Sequence, residues 1–118
     1  MEETGNLPVG IEYEGKLCTE FTLREQIVGD SVAVFESDDA ERALANDAFY
    51  GVCIMARRVS VDGIPEGGVT PDMLMQARQL DFDELHAASG RLDKRRLEFR
   101  SQADAGAADA SGAAKTGV

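Results

Sequence analysis

The chain has 118 residues and a mass of 12.7 kDa, with 22 acidic residues against 12 basic ones and a formal net charge of −10. That length bounds it to one small domain with one modest core, burying roughly 65% of the surface that its unfolded form exposes. The longest apolar runs, such as Val52-Cys53-Ile54-Met55-Ala56, fall far short of the ~20 residues that cross a bilayer, and the acidic start Met1-Glu2-Glu3-Thr4 lacks the basic-then-apolar order of a secretion signal, so a soluble cytoplasmic protein is expected.

The acidity is uneven: residues 1–36 hold eight acids and two bases. A field of that sign repels nucleic-acid phosphates and anionic lipid, so neither nucleic acid nor a membrane is expected as a partner. Cys18 and Cys53 lie far apart with no CxxC spacing and read as free thiols, one near a sheet and one on a helix.

Residues 1–8 are polar and contain Gly and Pro, which predicts a flexible lead-in. From Val9 the chain alternates. Val9, Ile11 and Tyr13 share one face, and after Glu14-Gly15-Lys16 the set Leu17, Thr19, Phe21 and Leu23 points inward with Cys18 outward. Period two on both sides of a glycine break predicts a β-hairpin, and a three-residue loop, Glu14 to Lys16, keeps both odd-numbered sets on one face.

Helices are predicted to cover that hairpin. Asp30 opens a short helical turn through Phe35. Asp38 and Glu41 stand at capping-box spacing before a helix of about 20 residues, whose stripe is Ala40, Leu44, Ala48, Val52, Met55 and Val59. Arg57 and Arg58 fall in its last turn, where positive charge complements the helix dipole. Asp62 to Gly68 is a loop. Thr70 caps the next helix with Pro71 at its first position, and Met73, Leu74, Ala77 and Leu80 form its apolar side. Asp81 and Glu84 cap a final helix carrying Phe82, Leu85, Ala88, Leu92, Leu97 and Phe99, with a bend or frayed end expected near Gly90. From 101 onward the composition is Ala, Gly, Asp, Ser and Thr, too poor in apolar area to offset its ordering entropy, so residues 101–118 are expected to be a disordered Ala/Gly-rich tail.

The fold class expected is therefore α+β: an N-terminal antiparallel β-hairpin packed on a small bundle of about three helices, occupying residues 9–100.

Catalytic signals are sparse. His86 is the lone histidine, and no cysteine or GxSxG serine is arranged around it. Asp81, Asp83 and Glu84 lack the glycine and distal glutamate of a calcium loop and are explained as helix-start carboxylates. Gly67-Gly68 has no phosphate-loop context. No enzyme activity, cofactor or metal is expected. The basic run Arg91, Lys94, Arg95, Arg96 and Arg100 reads as a solvated face or as a site for an acidic protein partner, another copy of this chain included.

The segment Phe21-Thr22-Leu23-Arg24-Glu25-Gln26-Ile27-Val28-Gly29-Asp30-Ser31-Val32-Ala33 resembles the Mu-like family of phage tail assembly chaperones, in which a hairpin ends in a Leu-Arg-Glu-x-x-x-x-Asp stretch running into the first helix. The likeness continues in order through a helix with a central apolar run, a loop, and Leu80-Asp81-Phe82-Asp83-Glu84-Leu85 opening a last helix; Gln26, where proline is common, and the Arg-rich last helix depart from it. The resemblance implies a non-enzymatic chaperone in the host cytoplasm, absent from the mature virion. It would bind the tape-measure protein before tail-tube polymerisation and reach the tail-tube protein through a longer frameshifted form. The alternatives are an acidic inhibitor mimicking nucleic acid and a minor structural tail subunit. A groove for the tape-measure helix is expected at Met55, Met73, Leu74, Leu85, Leu92 and Phe99, apolar helical positions that cannot all fit one small core.

Overall fold

A computed structural model describes residues 1–110 of the chain. Three strands, β1 (Glu2–Tyr13), β2 (Lys16–Arg24) and β3 (Val59–Val61), form an antiparallel sheet in the order β1-β2-β3. Five helices accompany them among the described residues: α1 (Val28–Phe35), α2 (Ala40–Ala45), α3 (Asp47–Arg58), α4 (Pro71–Gln76) and α5 (Gln79–Ala110). The chain is α+β, with the hairpin in place and one strand and two helices more than the sequence predicts.

The hairpin turn is shorter than expected. Tyr13 pairs with Lys16, leaving the two-residue turn Glu14-Gly15, both residues at positive φ (50° and 78°), whose twist matches that of the flanking strands. A two-residue turn opposes the parities of the two strands, so Ile11 and Cys18 are buried together while Leu17 points out. The register then shifts between Asn6 and Ile11. Beyond that bulge Glu3 faces Leu23 and Gly5 faces Phe21, and Phe21 and Leu23 are buried. Gly5 is needed there: a Cβ would stand 2.8 Å from Cζ of Phe21. Residues 1–8 are not a flexible lead-in, since Glu2 to Asn6 pair in order with Arg24 to Glu20.

The skipped residues of β1 find partners elsewhere. The backbone N–H groups of Val9 and Gly10 donate to Oδ1 and Oδ2 of Asp81 at 2.8 and 2.9 Å. Asp81 is buried, and α5 starts two residues before it, at Gln79, so its carboxylate serves the strand and not the helix cap predicted for it.

The single long helix predicted from Ala40 is two helices. Asn46 is extended, and its side chain accepts from Ala48 N and Phe49 N at 3.0 and 3.2 Å, which ends α2 and caps α3. The apolar stripe changes with that break: Ala43, Phe49, Cys53 and Ile54 are buried with Val34 in one cluster, while Leu44 is exposed. Val59, predicted as the end of the helical stripe, instead begins β3, with Val59 and Val61 facing the core.

At α4 prediction and structure agree, whereas the capping box expected of Asp38 and Glu41 does not form: Asp39 stands at the N-cap of α2 and makes no side-chain cap bond. Thr70 Oγ1 accepts from Met73 N at 3.2 Å, with Pro71 opening α4. α5 runs through Gly90 without the expected interruption, and it continues to Ala110, into the segment predicted as tail; residues 111–118 of that tail lie outside the described residues. The main core unites Leu7, Ile11, Cys18, Phe21 and Leu23 of the sheet with Met55, Leu74, Leu85, Ala88 and Leu92 of three helices.

Candidate functional site

Met55, Leu74, Leu85 and Leu92 are core residues, so they cannot form the binding groove predicted for them. The reason is geometric. The sheet, α3, α4 and α5 enclose one core large enough for all four, and turning any of them out to line a groove would leave a void in that core. Met73 is partly buried against the same core and lines a cleft of about 490 Å³ between the hairpin and α4, beside Val9, Leu17 and Arg78. Phe99 alone of the six is well exposed, on the part of α5 beyond the core.

The largest exposed apolar feature on a short element is α1. Val28, Val32 and Phe35 stand at i, i+4 and i+7, with Ile27 at the N-cap, and their exposures are 84%, 52%, 45% and 63%. The opposite face carries the buried Asp30 and Val34. A helix facing only water would be polar on its outer side; this one is apolar there.

The position of α1 is fixed by a charge network. Asp30 is fully buried and takes Arg24 at two points, Nη2 to Oδ1 at 2.6 Å and Nη1 to Oδ2 at 3.0 Å. Arg57 Nε reaches Oδ1 at 3.2 Å, and the Ile27 N–H donates to Oδ2 at 2.9 Å. These contacts, the Arg24 guanidinium first among them, hold the Asp30 carboxyl far below its ordinary range despite burial. Arg58 is buried beside this network, donating from Nε to the Arg24 carbonyl at 3.1 Å and from Nη1 to Ser89 Oγ at 3.0 Å; burial pushes its guanidinium down. On the other side Phe35 stacks on Tyr50 at 5.6 Å, and the Tyr50 hydroxyl lies 2.6 Å from Ser31 Oγ. The apolar stripe is thus presented by a helix pinned at both flanks.

The basic run on α5 meets carboxylates of this same chain. Arg91 and Arg95 grip Glu3, Arg91 also grips Glu84, Arg96 forms a two-point pair with Glu25, and Arg100 pairs with Asp104. The Arg96 guanidinium holds the Glu25 carboxyl down to about 2, with the N-terminal ammonium contributing. The pairs with Glu3 and Glu25 fasten α5 to the start of β1 and to the residue after β2, while those with Glu84 and Asp104 lie within α5.

The carboxylates at the start of α5 are likewise engaged. Asp81 serves the β1 backbone, Asp83 accepts from Gln79 Nε2 at 2.8 Å, and Glu84 takes Arg91. His86 is exposed and stands edge-on to Phe82 at 4.7 Å. Cys18 and Cys53 are buried free thiols, and burial pushes the Cys53 thiol up. A second cleft of about 450 Å³, between α1, α3 and β3, has Arg24 and Arg57 in its wall, and both already engage Asp30.

The exposed apolar residues that the sequence did not point to are Ile27, Val28, Val32 and Phe35. Their helical spacing is legible, but Val34 and Ala33 interrupt it with a second apolar set, so the two faces cannot be ranked without the partners of Asp30.

Compared with protein-family models, curated proteins and solved structures, the chain finds no match.

Proposed function

We propose that this chain is a non-enzymatic tail assembly chaperone of a long-tailed phage, which keeps the tape-measure protein soluble before the tail tube polymerises around it. The observation that supports this reading most directly is the exposed stripe Val28, Val32 and Phe35 on α1. It begins within Phe21 to Ala33, the segment that carries the resemblance to that family. A tape-measure protein is a long amphipathic helix whose apolar face aggregates unless covered. Copies of a small domain, each laying α1 against that face, would cover it by many weak attachments and be released one by one as tube subunits displace them. The net charge of −10 would keep the covered rod apart from its neighbours in solution.

Such a protein acts in the host cytoplasm and leaves before the particle is complete. Co-expression with the tape-measure protein of the same genome tests the reading: that product should become soluble and co-purify with this chain. A partner that stays insoluble and unbound would overturn it. Mass spectrometry of purified particles separates it from a structural tail subunit, which would be found there.

A further inference from the structure

We infer that the α1 face takes an amphipathic helix whose apolar stripe is flanked by Lys and Arg; this deepens the chaperone reading and rests on it for the identity of the natural partner. After the Phe35 end of the stripe the chain runs through Glu36, Asp38 and Asp39 in the connection to α2, Glu41 on α2, and Asp47 at the start of α3. These three helices share one buried cluster, Val34, Ala43, Phe49, Cys53 and Ile54, which holds the acidic positions around one small unit.

None of these five carboxylates forms an ion pair among the described residues; several acids elsewhere on the chain, Glu12, Glu20 and Asp62 among them, are unpaired too. Glu3, Glu25, Asp30, Glu84 and Asp104 are all paired with arginines or the N-terminus. From Glu25 to Ala56 the only base is Arg42, whose guanidinium lies 3.9 Å over the Phe49 ring. At the Val28 end the nearest acids, Glu25 and Asp30, are already neutralised by Arg96, Arg24 and Arg57. Of the acids that border the stripe in sequence, the unpaired ones are therefore those that follow Phe35, and the negative end of the α1 dipole lies on the same side.

That asymmetry selects the occupant. A second copy docking through the same face would bring its own five unpaired carboxylates against these, with Arg42 the one base among them, and an anionic lipid surface would be repelled likewise. A helix with Leu-type anchors at i, i+4 and i+7 and basic residues beside them satisfies both the stripe and its rim. Basic residues clustered toward the Phe35 end would also fix which way that helix lies.

The test uses the full chain and two synthetic helical peptides of about 20 residues with the same leucine stripe, one flanked by lysines and one by glutamates, titrated by calorimetry. The lysine peptide should bind, and raising salt from about 0.1 to about 0.5 M should weaken it by roughly tenfold. The double variant V28D/V32D should weaken it by at least about tenfold even though it adds negative charge, because it removes the anchors. Both positions are half or more exposed, so circular dichroism should show the fold retained; V28S/V32S replaces that variant if the aspartates disturb α1. The variant E36Q/D38N/D39N/E41Q/D47N should bind more weakly and lose the salt dependence.

Equal binding of the two peptides, or lysine-peptide binding untouched by loss of the valines, would overturn the assignment. So would a concentration-dependent dimer in sedimentation that V28D/V32D abolishes, since the face would then belong to a second copy. Failure of the tape-measure co-expression with peptide binding intact would remove the chaperone reading alone. Co-expression that succeeds equally well with V28D/V32D would remove the surface alone.

Discussion

Asp30 is buried at the first turn of α1 with its two carboxylate oxygens gripped by the two terminal nitrogens of Arg24, at 2.6 and 3.0 Å. The pair joins the end of β2 to the start of α1, and Arg57 closes it from the end of α3. The same carboxylate accepts the Ile27 N–H, so one side chain both sets the angle of α1 and satisfies its first free donor.

Replacing Asp30 by Asn should therefore destabilise the fold by about 2–3 kcal/mol, because a buried acceptor of charged hydrogen bonds becomes half donor while Arg24 and Arg57 lose their counter-ion. The figure stays below that of a fully enclosed pair, since both arginines reach solvent. Urea denaturation followed by circular dichroism measures it. An unchanged midpoint for D30N would show that the network does not hold α1.

The acid limb of stability should depend on the same contacts. Glu25 is held down to about 2 from an ordinary 4.5, chiefly by Arg96, and Asp30 is lowered from 3.8, chiefly by Arg24. Glu3 is lowered by Arg91. Each native carboxyl binds its proton less readily than the unfolded chain does. Their stabilisation is therefore complete above the unfolded values and lost as pH falls through the folded ones. The urea midpoint should hold steady down to about pH 5 and then fall steadily toward about pH 2, with E25Q giving a shallower decline over that interval. A midpoint that stays level to the bottom of the range would contradict the ion pairs.

Leu92 and Leu97 lie five residues apart on α5 and should respond to truncation in opposite ways. Leu92 is fully buried in the main core, and L92A should cost about 2–5 kcal/mol by lost transfer energy and the cavity left behind. Leu97 is 70% exposed, and L97A should stay within about 0.5 kcal/mol of the parent. Comparable losses at both sites would mean that the outer half of α5 is covered in solution.

Some short-range features of this chain were open to reading from its residues, although the Asn46 cap and the length of the hairpin turn were missed; the long-range ones were not legible. Thr70 and Pro71 announce α4 because a cap and its helix are neighbours in sequence. The inward turn of Cys18 depends on a single choice between a two- and a three-residue loop, and that choice reverses every side chain near the turn. Asp81 illustrates the other limit. Its spacing to Glu84 suits a capping box, yet its carboxylate is taken by the amides of Val9 and Gly10, which lie more than 70 positions earlier. Pairing of that kind also hid the proposed interaction surface. The arginines of α5 look like an invitation to an acidic partner until Glu3 and Glu25 are seen to occupy them, and the apolar face of α1 stands out only once Asp30 is seen to turn the opposite face inward.

The turn of the hairpin offers a gain in stability. Glu14 sits at φ 50°, the one non-glycine residue with positive φ among the described residues, and it precedes Gly15 at φ 78°. An L residue is strained in that region because its Cβ crowds the following carbonyl oxygen, whereas Asn tolerates it and Asn-Gly is the preferred pair for a two-residue turn of this twist. Glu14 has no ion pair to lose, and it is exposed. E14N should raise stability by about 0.5–1 kcal/mol, read as a higher urea midpoint at unchanged slope. A lower midpoint would mean that the turn is longer in solution, and the parity that buries Cys18 and exposes Leu17 would have to be redrawn with it.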